Sequence, residues 1–275
     1  MLRIRRMVLL TSALLLAITA AGCASKNKQQ EPKGALTRIV ENGVIRVGMT
    51  GEQPPLTMIA RDGEFIGLDV ALMRVLARNM GVEAHFVKLE FDQLLDALVA
   101  GDVDLVMSGM TITPQRVERV AFVGPYFTSG KSFLTRSKEL AGVKVPEDLD
   151  RPDLSIAALR GSTSEEFARK FLPNANLSLT NGLDDGIRKV IAGEVDAFVA
   201  DRETCSFAVL RFPDQGLIAA NAAFTLEPMG IAVPLDQPRL ANLIRVYFDA
   251  LSQSKGLEEA KSFWFQDPSW VVNLR

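Results

Sequence analysis

The sequence predicts an α/β protein of two lobes, each a central, mostly parallel sheet flanked by helices, joined by a two-strand hinge. Three observations predict it. Strand-like and helix-like runs alternate from residue 43, the alternation starts afresh near residue 154, and one phrase occurs twice, AGDVDLVMSG at 100–109 and AGEVDAFVAD at 192–201. Short β-branched runs separated by amphipathic helices call for parallel strands, because a parallel crossover needs a helix to bring the chain back. The restart and the repeat call for two such units. A chain of 275 residues is long for one core and comfortable for two lobes of roughly 100–150 residues each.

In chain order, VIRVGM (44–49) is a strand. LDVALMRVLARNMG (68–81) is a helix: Asp69 can cap it, Leu72, Met73, Leu76 and Met80 form one stripe, and Gly81 suits the position after its end. VEAHFVKL is the next strand, FDQLLDALVAG (91–101) a helix ended by Gly101, and DLVMSG the strand that follows. The second unit reads LSIAAL as strand, STSEEFARKFL as helix with Ser/Thr caps, NLSLT as strand, DDGIRKVIAG as helix and DAFVAD as strand. Gly101 and Gly193 permit the left-handed turn from each helix into the strand of the repeated phrase. Asp104 and Asp196, at those strand entrances, read as turn or surface residues. KSFLTRS (131–137) and AAFTLEPMGIAV (222–233) read as the two crossings between lobes. Residues 238–264 read as helix, with Pro238 in its first turn and Leu240, Leu243, Ile244, Tyr247 and Leu251 as its apolar stripe, packed on the first lobe. The expected division is 35–130 with 226–275 as the first lobe and 131–225 as an inserted second lobe.

The N-terminus reads as a secretory signal over 1–22: Arg3, Arg5 and Arg6, then the apolar MVLLTSALLLAITA (7–20), then small residues. Cys23 directly after Ala21-Gly22 resembles a bacterial lipobox, although Ala20 stands where leucine is usual. That resemblance implies cleavage before Cys23 and its lipidation. ASKNKQQEPKG (24–34) reads as a flexible tether, so the expectation is a protein anchored to a membrane rather than spanning it.

Composition excludes several classes. The formal charge of −2 becomes −5 once three leader arginines are removed, which leaves no basic surface for nucleic acid. The one histidine, His85, lies in a strand pattern, so no metal site is expected, and no motif calls for a cofactor. Cys205 would be the lone cysteine beside Cys23 and reads as a packed thiol.

Candidate chemistry follows the rule that ligands of open α/β sheets bind beyond the carboxyl ends of the strands. After the first copy of the phrase comes Ser108-Gly109-Met110-Thr111-Ile112-Thr113-Pro114-Gln115-Arg116. Thr113-Pro114 signals a helix start. Arg116 then stands in a first helical turn, where a cation is disfavoured unless an anion joins it. Thr111, Arg116 and free N–H groups would make a carboxylate clamp; the alternative pairs Arg116 with Glu118 or Asp92. After the second copy comes Asp201, either the N-cap of RETCSFAVLRF, a partner for an ammonium group, or both. Arg116 and Asp201 facing each other across a crevice would define a zwitterion. Gly161-Ser162-Thr163-Ser164 opens a second-lobe helix, with free N–H groups expected at its start, and is a further candidate ligand loop.

GVIRVGM, PPL, DGEFIGLDVAL, LLDALVAGDVDLVMSGMTITPQR, FVGPYF, RGSTSEEF, GEVDAFVAD and EPMGIAVP stand in order between about Gly43 and Trp264. In these the chain resembles the extracellular solute-binding proteins of ABC transporters for polar amino acids, which have the two-lobed type II periplasmic binding (Venus flytrap) fold. The resemblance implies Arg116 and Thr111 on a ligand α-carboxylate with help from Thr163. It implies the Asp201 carboxylate and a carbonyl near Ser108–Gly109 on the amino group, and Phe91 as a side-chain wall. Binders of basic amino acids in this family carry an aspartate and, three residues on, an aromatic where this chain has Thr50 and Gln53, with Glu52 the only charge in MTGEQPPL. That difference points to a polar, neutral ligand side chain.

The implied role is a monomeric, non-enzymatic lipoprotein that hands an amino acid to ABC permease subunits from the periplasm or cell surface. Two alternatives stay open. Some relatives are cyclohexadienyl dehydratases, which need a general acid, and Glu52 or Glu227 would be candidates. The other is a subunit that presents its ligand to a signalling receptor acting in trans.

Overall fold

The computed structural model of the protein describes residues 34–274. The expected signal, Cys23 and nearly all of the expected tether lie outside the described residues. The fold is a two-lobed α/β arrangement with two five-stranded sheets. The first sheet has the order β5-β1-β6-β13-β7, from β1 (Val44–Met49), β5 (Glu83–Lys88), β6 (Leu105–Val106), β7 (Ala121–Ser129) and β13 (Glu227–Val233). The second has the order β10-β9-β11-β8-β12, from β8 (Lys131–Thr135), β9 (Ser155–Leu159), β10 (Asn176–Thr180), β11 (Ala197–Asp201) and β12 (Ile218–Ala219). A small third sheet, unforeseen in the sequence, joins β2 (Glu52–Gln53), β3 (Thr57–Ile59) and β4 (Phe65–Ile66).

Each large sheet is mixed rather than parallel throughout. β1 runs parallel to β5 and β6, while β13 is antiparallel to β6 and β7. β9 runs parallel to β10 and β11, while β8 is antiparallel to β11 and β12. The antiparallel intruder in each sheet follows a crossing between lobes, so it enters from the cleft side, opposite to strands fed by helices. The crossings touch: Lys131 N–H donates to Thr225 Oγ1 at 2.9 Å and Phe224 N–H to the Lys131 carbonyl at 2.8 Å. A Cβ on Gly130 would stand 2.4 Å from the Thr225 carbonyl oxygen, so only glycine lets the two backbones pass this closely.

Helices cover the sheets: α1 (Ala35–Asn42), α2 (Leu68–Met80), α3 (Leu94–Ala100), the one-turn α4 (Pro114–Val117) and α5 (Lys138–Ala141), α6 (Thr163–Phe171), α7 (Leu183–Ala192), α8 (Arg202–Arg211), α9 (Pro238–Gln253) and α10 (Gly256–Gln266). The first lobe's core packs Leu72, Met73 and Leu76 of α2 with Val47, Ile231, Leu240, Ile244 and Phe248. Burying each such side chain contributes about 1.5–3 kcal/mol. A second core packs Phe133, Ile156, Ala158, Phe167 and Val199 of the second lobe.

Several local expectations change. Asp69 does not cap α2: Gly67 holds the cap position, and Asp69 lies fully buried at the second position of the first turn. The helix expected over 238–264 breaks at Ser254–Lys255, where Lys255 takes φ 65°. The strand read in DLVMSG is only Leu105–Val106, because the chain leaves the sheet early to form the loop that carries Ser108–Thr111.

The repeated phrase does the same structural work twice. Gly101 and Gly193 end α3 and α7 in the left-handed region, at φ 80° and 72°. Asp104 Oδ2 then accepts the Arg46 N–H within β1, and Asp196 Oδ2 accepts the Ser155 N–H that opens β9, both at 2.8 Å. Asp196 is exposed as expected, whereas Asp104 is buried and ion-paired to Arg46 at 2.8 Å and Arg38 at 2.9 Å. Burial pushes the Asp104 carboxyl up, but its hydrogen bonds to Arg46 and Arg38 outweigh that and hold it below the usual range.

Candidate functional site

The tails of the two phrases meet where the lobes close on each other. Thr113 caps α4 by accepting the Arg116 N–H at 3.3 Å, and Pro114 fills its first position. A helix of one turn carries little dipole, so the helix end adds little to the case for an anion beside Arg116. Its side-chain geometry carries the case instead. The guanidinium is buried, with its Cζ 5.5 Å from the Phe91 ring centroid. Nη1 donates to the Thr111 carbonyl at 2.8 Å, and Nη2 donates across the cleft to the Gly161 carbonyl at 3.2 Å. Neither Glu118 nor Asp92 pairs with it, and no carboxylate among the described residues forms an ion pair with it. Burial pulls the Arg116 pKa down, while the more distant Glu166, Glu227 and Asp201 oppose that. A buried guanidinium bound only to carbonyls keeps further N–H donors for an anion.

Asp201 holds the N-cap position of α8 but its side chain makes no capping bond. Its oxygens serve the cleft: Oδ1 accepts from Lys131 Nζ at 2.6 Å and Oδ2 from Gln53 Nε2 of the other lobe at 3.2 Å. Burial pushes its carboxyl above the usual range, with Lys131 opposing and Glu227 and Glu203 reinforcing. Sequence reasoning missed Lys131. The signal was available, since a lysine first in a crossing strand faces whatever ends the neighbouring strand. Glu227, raised only for the alternative reading, is buried beside it, 3.7 Å from Lys131 Nζ. Thr163 Oγ1 and Thr225 Oγ1 donate to Glu227 at 2.9 and 2.7 Å. The Thr111 and Thr163 hydroxyls stand 3.4 Å apart across the cleft.

The remaining candidates divide. Ser108 Oγ accepts the Thr50 N–H at 3.1 Å and lies 3.3 Å from the Thr50 hydroxyl, so this pair pins two cleft loops together. Gly109 N–H donates to Asp69 Oδ2 at 3.0 Å, and the Gln53 amide packs over the Gly109 Cα. Glu52 pairs with Lys88 at 3.4 Å and faces Gly182 of the second lobe. Most N–H groups expected to be free in the Gly161–Ser164 loop are spent locally: Gly161 on Glu165, Ser162 on the Leu159 carbonyl, Ser164 on Ser162 Oγ. Ser164 is buried in the first turn of α6, and what the loop gives the cleft is the Thr163 hydroxyl and the Gly161 carbonyl. Thr50, Glu52, Gln53, Phe91, Leu159 and Gly182 line a cavity of ≈ 10 Å³, which is room for about one water.

Comparison with known proteins agrees with this architecture. The family model described as bacterial extracellular solute-binding proteins, family 3, matches residues 45–267. The chain is 28% identical to an L-arginine-binding protein of Pseudomonas aeruginosa, over 80% of this chain and 87% of that one. It is 23% identical to a cyclohexadienyl dehydratase of the same organism, over 92% and 94%. A crystal structure of an ancestral amino-acid-binding protein, described as a precursor of cyclohexadienyl dehydratase, superposes with a TM-score of 0.78 at 31% identity, covering 84% of this chain and 99% of that one. With that match over most of its length, on a two-lobed α/β frame whose strand ends meet in one cleft, the chain belongs to family 3 of the bacterial extracellular solute-binding proteins.

Proposed function

We propose that this protein captures an amino acid between its lobes and delivers it to the permease of an ABC transporter, anchored outside the cytoplasmic membrane through a lipidated Cys23. The observation that carries the reading is Arg116, a buried guanidinium without an ion-pair partner among the described residues, aimed with Thr111 and Thr163 into the cleft. A carboxylate there gains charge-assisted hydrogen bonds. Asp201 and Glu227 lie on the amine side. Because the two lobes supply different parts of this set, a bound ligand favours the closed state. A Kd of about 1 μM needs about −8 kcal/mol, within reach of two charged clusters in a closed cleft. Relatives named for binding arginine and cystine support the ligand class.

A thermal-shift screen with the twenty amino acids, followed by calorimetry, tests the reading. At 100 times Kd a ligand adds about 2.7 kcal/mol of stability. Arg116→Ala is expected to weaken the cognate ligand by about 2–5 kcal/mol. Equal affinity in wild type and Arg116→Ala would sink the assignment.

One observation favours a second reading. Glu227, buried in the cleft near Lys131 and bonded to Thr163, is a carboxyl group that would serve as a general acid when protonated, which a dehydratase needs. Turnover of prephenate or arogenate by the purified protein would establish it, and its absence alongside amino-acid binding would exclude it.

A further inference from the structure

Four ionisable side chains are enclosed where the lobes meet: Arg116, Lys131, Asp201 and Glu227. Lys131 opens β8 directly opposite Asp201 in the antiparallel register, so both side chains project from one face of the second sheet. Glu227 opens β13 on the returning crossing. The ammonium thus sits at the junction of both crossings, 2.6 Å from Asp201 Oδ1 and 3.7 Å from Glu227 Oε2. Neighbouring charges are compensated or solvated. Glu203 pairs with Arg202 at 2.8 Å and Glu52 with Lys88 at 3.4 Å, while Glu166 is exposed. Asp69 lies behind the 108–111 loop, bonded to Gly109 and Tyr126.

The enclosed set therefore holds two cations and two anions. Confining a net charge in a closed, dry cleft is costly, so closure favours a ligand that leaves this balance intact. Without Lys131 the amine side would offer two carboxylates, an arrangement suited to a ligand with two positive groups. With it, one carboxylate is already answered. Its position between both carboxylates lets it lean towards Glu227 as a ligand ammonium takes Asp201.

We propose that Lys131 sets the charge selectivity of the cleft, restricting its ligand to a zwitterionic amino acid with an uncharged side chain. This rests on the amino-acid reading above. It predicts opposite effects for two variants. Lys131→Met keeps the packed stem and leaves the cleft with one net negative charge. Glu227→Gln keeps the Lys131–Asp201 pair and leaves one net positive charge.

Calorimetry of wild type and both folded variants with the twenty amino acids tests it. Wild type is expected to bind an uncharged-side-chain amino acid best. Lys131→Met is expected to shift the affinity ratio of arginine to that ligand upwards, and Glu227→Gln to shift the ratio of glutamate to it upwards, each by about tenfold or more. A role for Lys131 in strand pairing alone would weaken all ligands together and move neither ratio. The inference is overturned by a wild type that prefers arginine, lysine, aspartate or glutamate, or by ratios unchanged in the variants. Should Lys131→Met not fold, the Glu227→Gln ratio decides. If folded wild type binds no amino acid, the amino-acid reading itself fails and takes this inference with it, an outcome distinct from binding with an unchanged order of preference.

Discussion

Asp69→Asn should abolish a pH dependence of stability that the native fold builds in. Asp69 is fully buried in α2, where its Oδ2 accepts the Gly109 N–H and the Tyr126 hydroxyl, both at 3.0 Å, while Oδ1 has no partner. Burial pushes its carboxyl from 3.8 up to about 7, with those two hydrogen bonds opposing. The native state therefore holds a proton that the unfolded chain releases near pH 3.8. Stability from this group is fully present below the unfolded pKa and is lost as pH rises through about 7. Three pKa units correspond to about 4 kcal/mol in all, of which about 2.6 kcal/mol falls between pH 5 and pH 8. An asparagine keeps the acceptor for Gly109 and Tyr126 and does not ionise. Urea unfolding of wild type and Asp69→Asn across pH 5–8 reads the difference, which isolates Asp69 from other titrating groups. The wild type should lose about 2–3 kcal/mol relative to the variant as pH rises. Parallel profiles would refute the reasoning.

Two further outcomes follow from packing. Trp270, buried on Phe207 of α8 with ring centroids 5.1 Å apart, joins the C-terminal segment to α8 and to Met58 of β3. Trp270→Ala should cost about 3 kcal/mol, read as a lower denaturation midpoint; an unchanged midpoint would show that this contact is not made in solution. Cys205 is fully buried, and burial together with Asp201 and Glu203 pushes its thiol well up. It should resist a thiol reagent until denaturant is added, and labelling of native Cys205 in a peptide mass map would contradict its placement.

Much of the frame was legible because periodicity and turn chemistry are local. NLSLT is β10 residue for residue, RETCSFAVLR is α8, and the glycines after α2, α3 and α7 end them in left-handed turns, as their positions suggested. Arg116, Thr111, Thr163, Asp201, Gln53 and Phe91 do converge on one cleft. Asp69 was misread because a carboxylate near a helix start looks like a cap, and nothing local reveals that Gly109 and Tyr126 will surround it. The N–H groups of the Gly161–Ser164 loop were misread in the opposite sense, since Glu165 and Ser162 consume those that a short window leaves free.

What the sequence determined by itself is the alternation, the doubling of the unit and the strand ends that carry polar groups, all set by residues within a few positions of one another. Only the tertiary structure decided which charges meet. Lys131 and Asp201 are 70 positions apart and Thr163 and Glu227 are 64 apart, yet each pair is in hydrogen-bond contact. Burial makes those pairings matter, because a charge withdrawn from water must be answered by whatever the fold brings beside it, and that neighbour is set by strand register and lobe closure.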